Sequence, residues 1–134
     1  MSRTRGSTPF AQAFPGDGQV DWIGLDGYNF GTSQSWSHWT DFTTTFGASY
    51  DSITRFSSRP VLIGETASSE VGGDKAAWIT HGLLTEAPAR FPRLRAVVWF
   101  DESKETDWRV NSSATALAAY SAVAKSPLYH GRLL

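Results

Sequence analysis

The sequence predicts an α/β fold with a parallel sheet, and three observations carry that prediction. Three apolar segments recur along the chain: Val20–Leu25 leading to Asp26, Pro60–Ile63 leading to Glu65, and Leu94–Phe100 leading to Asp101. Helical patterns separate them, so the order reads strand, helix, strand, helix, strand, helix. The Pro60–Ile63 segment is a continuous hydrophobic run rather than an alternating one, as in a strand covered on both faces of a parallel sheet. Crossover helices between such strands imply right-handed parallel connections. A doubly wound sheet and part of a (β/α)₈ barrel both satisfy this order.

The helices follow from spacing and capping. Phe46, Tyr50, Ile53 and Phe56 recur at three- and four-residue steps and define one face of an amphipathic helix. Asp74 is a good N-cap for a second helix carrying Ala76–Ile79 and Leu83–Leu84, which ends before Pro88 or Pro92. A third begins after Ser112-Ser113 and runs through Leu117, Tyr120 and Val123. Asn111-Ser112-Ser113 matches a glycosylation sequon, but helix capping is the better reading of so short a pattern. Residues 1–11 are expected to be irregular, and residues 1–134 to form one domain.

Composition excludes several classes of function. Lys+Arg 12 against Asp+Glu 13 gives a formal net charge of −1, without the basic excess that nucleic-acid or anionic-membrane binding requires. The chain has no cysteine, so disulfides and thiolate metal sites are out. His38, His81 and His130 are far apart in sequence and lack metal-ligand spacing, so no metal and no cofactor is expected. No apolar run approaches the ~20 residues that span a bilayer. The opening residues 1–7 are basic but precede no apolar h-region, and so do not read as a secretory signal. No Gly-x-Gly-x-x-Gly or Gly-x-Ser-x-Gly motif occurs, and Gly72-Gly73-Asp74-Lys75 reads as a loop entering a helix.

The chemistry concentrates at the strand ends. A carboxylate inside a buried strand is costly, whereas catalytic side chains collect at the C-terminal rim of an α/β barrel. Glu65 sits after Gly64 among small residues that leave room for a ligand. Tyr28 and Asn29 follow Asp26 and offer a phenol and an amide; Trp99 offers an indole. Most of the six Trp, four Tyr and eight Phe are expected in the core, but such rings also form flat platforms that suit the C–H faces of sugars. A carboxylate, a phenol, an amide and an indole on one rim is a carbohydrate-processing constellation. Glycoside hydrolysis needs a second carboxyl group, and Asp26 and Asp101 are the in-chain candidates, although both suit loop bracing better.

Val20–Asn29, Pro60–Glu65, Gly72–Ile79, Ala96–Phe100 and Asp107-Trp108-Arg109, in that order and spacing, resemble the C-terminal half of glycoside hydrolase family 26. The resemblance covers roughly residues 12 to 124. The family comprises endo-β-mannanases and related β-glucan and xylan hydrolases. The resemblance implies a partial (β/α)₈ TIM barrel made of about the last three βα units, acting on β-linked polysaccharide, β-mannan first, by a retaining mechanism. It implies Glu65 as nucleophile, Tyr28 as the residue that positions it, and Trp99, Asn29 and Trp36 as substrate-binding. The family's acid/base glutamate lies on a fourth strand with no counterpart here. The chain is therefore expected to be the C-terminal part of a larger catalytic domain, inactive alone or active with the N-terminal half of its barrel as partner. By the same analogy its location would be extracellular or at the cell surface. The alternatives are a non-catalytic carbohydrate-binding remnant and a small structural α/β domain. Assayed alone on mannan, xylan and mixed-linkage glucan, the chain should show no robust turnover; turnover abolished by Glu65→Ala would reveal an acid/base within it.

Overall fold

The computed structural model describes residues 8–131; residues 1–7, part of the segment expected to be irregular, lie outside the described residues. It is an α/β structure around one parallel sheet of three strands in the order β1-β2-β3. The strands are β1 (Ile23–Asn29), β2 (Val61–Ser68) and β3 (Leu94–Trp99). A short α1 (Phe10–Ala13) begins within the stretch expected to be irregular, and buries Phe10. The crossovers are α2 (Phe42–Thr54) and then α3 (Lys75–His81), which continues through a π-helical turn over Gly82–Glu86 into α4 (Ala87–Arg90); α5 (Ala114–Lys125) follows β3. Among the described residues no helix is long and apolar enough to cross a membrane.

Helices α2, α3 and α5 each start where a side-chain acceptor can satisfy free backbone N–H groups. Asp41 accepts from Thr44 N at 2.6 Å, Asp74 from Ala77 N at 3.0 Å, and Ser113 from Ala116 N at 3.1 Å. The expected caps at Asp74 and after Ser112 are thus present. The second helix ends before Pro92 rather than Pro88. A proline inside a regular helix removes a hydrogen bond and meets the carbonyl four residues back. The π turn loosens that spacing just ahead of Pro88, which then falls in the first turn of α4.

Two of the strands differ from expectation in length. β1 starts three residues later than the apolar run and extends through Asp26, Tyr28 and Asn29. β2 continues three residues beyond Glu65 to Ser68, so Glu65 lies within the strand rather than at its end. The helices cover one face of the sheet. Leu25, Val61 and Ile63 pack there against Phe42, Phe46, Ile53, Ile79 and Leu83 in a single core. The opposite face carries no helix among the described residues, and Val98 is 53% exposed on it.

Loops beyond the C-terminal strand ends are tied into a collar. Thr32 N donates to Val71 O at 3.0 Å, Gln34 Nε2 to Glu105 O at 3.2 Å, and Ser69 and Thr106 hydroxyls meet at 3.2 Å. Gly31 makes the first tie possible. Its φ is +56°, and a Cβ there would lie 1.9 Å from the Val71 carbonyl oxygen. Gly31→Ala combines an unfavourable left-handed backbone with a clash against main chain that cannot swing aside. It should cost at least about 2 kcal/mol in urea unfolding; a loss under half of that would mean the collar is loose.

Candidate active site

Glu65 owes its position to one extra residue. On β1, Leu25 pairs with Ile63 and the next residue, Asp26, pairs with Glu65, skipping Gly64. Against β3 the same strand gains one residue between Ile63 and Thr66, which pair with Val97 and Trp99. β2 therefore carries a bulge at Gly64 relative to both neighbours. In a regular strand side chains alternate, so Glu65 would point away from Gly64 and into the helix-covered core. The bulge turns it onto the open face instead, and Thr66 resumes the buried alternation. Gly64 also makes space: a Cβ there would stand 3.0 Å from Asp26 Oδ1.

On that open face Tyr28 Oη donates a short hydrogen bond to Glu65 Oε2. Tyr28 is flanked by aromatic rings, with centroids at 5.1 Å for Trp108, 5.9 Å for Phe100 and 6.0 Å for Phe30. Partial burial among these rings, then the hydrogen bond and charge of Glu65, and then the charge of Asp26 push Tyr28 ionisation well above the ordinary tyrosine value. The phenol thus remains a proton donor to the carboxylate. Beyond Phe30 lies Trp36, 69% exposed, its ring 4.9 Å from that of Phe30. Asp26, Tyr28, Phe30 and Trp36, with Thr45 and Ser49 of α2, line an open cleft of about 580 Å³ beside β1, and Glu65 is not among its lining residues.

Three of the five expected site residues are therefore brought together or nearly so: Glu65 and Tyr28 in contact, and Trp36 one ring away. Two are not. Trp99 is only 9% exposed and faces the helices, packed edge-to-face with Trp78 at 6.2 Å and Tyr120 at 5.6 Å, with its indole N–H donating to Trp108 O at 2.8 Å. It pairs with Thr66, on the face opposite Glu65, and offers no platform to a ligand. Asn29 is fully buried. Its Nδ2 donates to Ser68 Oγ at 2.9 Å, and its Oδ1 accepts from Gly31 N at 3.1 Å and Thr40 N at 2.9 Å, so its amide anchors loops rather than facing the cleft. Phe100 and Trp108, not Trp99, supply rings beside Tyr28. Asp101 braces a loop, accepting from Val110 N at 2.7 Å. Among the described residues no group of His, Asp and Glu has a metal-binding arrangement.

A carboxylate with one oxygen held by a phenol and the other free, projecting from a parallel strand beside aromatic surfaces, suits nucleophilic or proton-transfer chemistry on a polar ligand. No family model matches the chain. The chain is similar to endoglucanase H of Acetivibrio thermocellus, with 46% identity over 114 residues. The match covers 84% of this chain and 12% of that protein.

The raised ionisation of Tyr28 has a sign that can be measured. Its folded-state value lies above the unfolded one of about 10, so its contribution to stability is full below that pH and falls as pH rises through it. Urea unfolding of the protein should weaken more steeply between pH 9 and 11 than that of Tyr28→Phe. Parallel pH slopes would show that the Tyr28 proton is not held.

Proposed function

We propose that this chain carries the nucleophile side of a retaining β-glycan hydrolase, within a (β/α)₈ barrel. The observation that carries the reading is the Tyr28–Glu65 contact on the open face. With Oε2 occupied by the phenol, the free oxygen of Glu65 attacks the anomeric carbon and forms a glycosyl ester. The bond to the aglycone oxygen breaks, and its electron pair leaves with that oxygen. The Tyr28 hydrogen bond fixes the carboxylate plane during attack and holds the oxygen that stays uncharged in the ester. Trp36 and Phe30 supply an apolar surface for neighbouring sugar rings.

The proton for the leaving group comes from outside these residues. Retaining hydrolysis places the acid about 5–5.5 Å from the nucleophile, across the glycosidic bond. Asp26 instead sits beside Glu65 on the adjoining strand, folded over Gly64, and Asp101 is spent on its loop. The name of the similar protein favours a β-glucan, whereas the resemblance to family 26 favours β-mannan.

Both points are testable without a general acid, because a dinitrophenolate leaves unprotonated. Incubation with 2,4-dinitrophenyl 2-deoxy-2-fluoro-β-cellobioside should attach one glycosyl group to the Glu65 peptide, detected by mass spectrometry. The label should vanish in Glu65→Gln, and faster labelling by the mannobioside would reassign the substrate. Binding of cello-oligosaccharides without any label would favour a carbohydrate-binding role; neither label nor binding would leave a structural domain.

A further inference from the structure

Lys75, outside the cleft, has no part in the chemistry above, yet it is 1% exposed in the first turn of α3. A buried ammonium needs its three N–H groups satisfied. Nζ donates to Arg109 O at 2.7 Å, Ser112 Oγ at 2.8 Å and Asp107 O at 3.3 Å. Ser112 Oγ passes its own proton to Glu70 Oε1 at 2.7 Å. The carbonyl between the two held by Lys75, that of Trp108, accepts the Trp99 indole N–H at 2.8 Å. Three consecutive carbonyls, 107 to 109, are thus fastened from the helix side. Trp108 itself is 1% exposed, its indole N–H donating to Glu105 Oε2 at 3.1 Å and its ring 5.1 Å from Tyr28 and 4.9 Å from Phe30.

From this arrangement we infer that Lys75 is a positioning residue: it latches the segment 107–109 so that the Trp108 ring walls in Tyr28 and aims its phenol at Glu65. No N–H of Lys75 is left over for a ligand, so it acts only through Trp108. Its charge is opposed chiefly by burial, which lowers its ionisation, and is matched by Glu70, Asp107 and Asp101 nearby, with Arg109 acting against it. A neutral side chain of the same length fills the space but leaves two main-chain carbonyls and a hydroxyl without their donor.

The catalytic part of this inference rests on Glu65 being the nucleophile; the latch itself does not. Two measurements separate them. Exchange of the Trp99 and Trp108 indole protons, followed by NMR without any ligand, should accelerate on the order of 10-fold or more in Lys75→Met as the segment opens locally. Unchanged exchange would overturn the latch. Labelling of Glu65 by the fluorocellobioside should slow on the order of 10- to 100-fold in Lys75→Met, with the concentration for half-maximal rate unchanged. Combined with Tyr28→Phe, the loss should not add, since both changes act at the same phenol. Full additivity, or labelling at the native rate, would overturn the route through Tyr28. Absence of label on the unaltered chain would instead sink the reading of Glu65, and exchange would still decide the latch. Should Lys75→Met fail to fold, Ser112→Ala removes a single acceptor and should move both readouts in the same direction by less; no movement in either would overturn the inference.

Discussion

One residue too many in the central strand organises the rest of this molecule. Without the bulge at Gly64, strict alternation would send Glu65 among Phe46, Ile63 and Ile79, where an unpaired carboxylate costs several kcal/mol or loses its charge. With it, the apolar pattern of β2 resumes at Thr66 and Ala67, which stay buried, while the acid stands in the open. The neighbours accommodate the slip without extra residues of their own at that level, since Leu25–Asp26 and Val97–Trp99 pair across it continuously. At the bulge a Cβ on residue 64 would stand 3.0 Å from Asp26 Oδ1, so a larger residue there would displace the Asp26 carboxylate by a few tenths of an ångström. The local backbone irregularity is thus what allows a catalytic type of side chain to sit mid-strand in a parallel sheet.

Much of the scaffold was legible in the sequence because its signals are local. Pro60 before Val61-Leu62-Ile63, the cap at Asp74 and the cap after Ser112 each state their own element, and α/β order follows from their succession. What was not legible is which way a strand faces. Val97, Val98, Trp99 and Phe100 are all apolar, so no alternation tells which of them meet the helices. The register against β2 decides it, placing Trp99 with Thr66 on the helix side and leaving Phe100 to reach Tyr28. Asn29 failed for a similar reason. An amide beside a phenol reads as a ligand contact until the burial of Asn29 shows it satisfying two main-chain N–H groups of its own loop. Trp108 could be singled out only as part of Asp107-Trp108-Arg109; its contact with Tyr28, eighty positions away, is tertiary.

The two faces of the sheet divide the work. The helix side holds the dense apolar core and the donors, Lys75 and the Trp99 indole, that secure the loop after β3. The open side holds Gly24, Asp26, Gly64 and Glu65, small or charged residues that would pack poorly against another apolar layer. Sheets of parallel strands ordinarily have both faces covered. Here the uncovered face has not been made uniformly polar: Leu62 lies on it toward the N-terminal ends, and the exposed Val98 lies level with Glu65, between the pairs Ile63–Val97 and Thr66–Trp99.

The distribution of charge and aromatic rings on this face bears on where a ligand can sit. Toward the N-terminal ends the open face carries Gly24 and Leu62. Toward the C-terminal ends it becomes acidic, roomy and edged with aromatic rings, with Tyr28 supplying a hydrogen-bond donor between two carboxylates. A polar ligand with apolar C–H faces fits the second zone and not the first. The collar of loops reinforces the distinction, because it ties the connections after all three strands at the same end as Glu65. Rigid surroundings hold the carboxylate and phenol in place there, and Trp108 beside Tyr28 has little freedom with its backbone carbonyl and its indole proton both engaged.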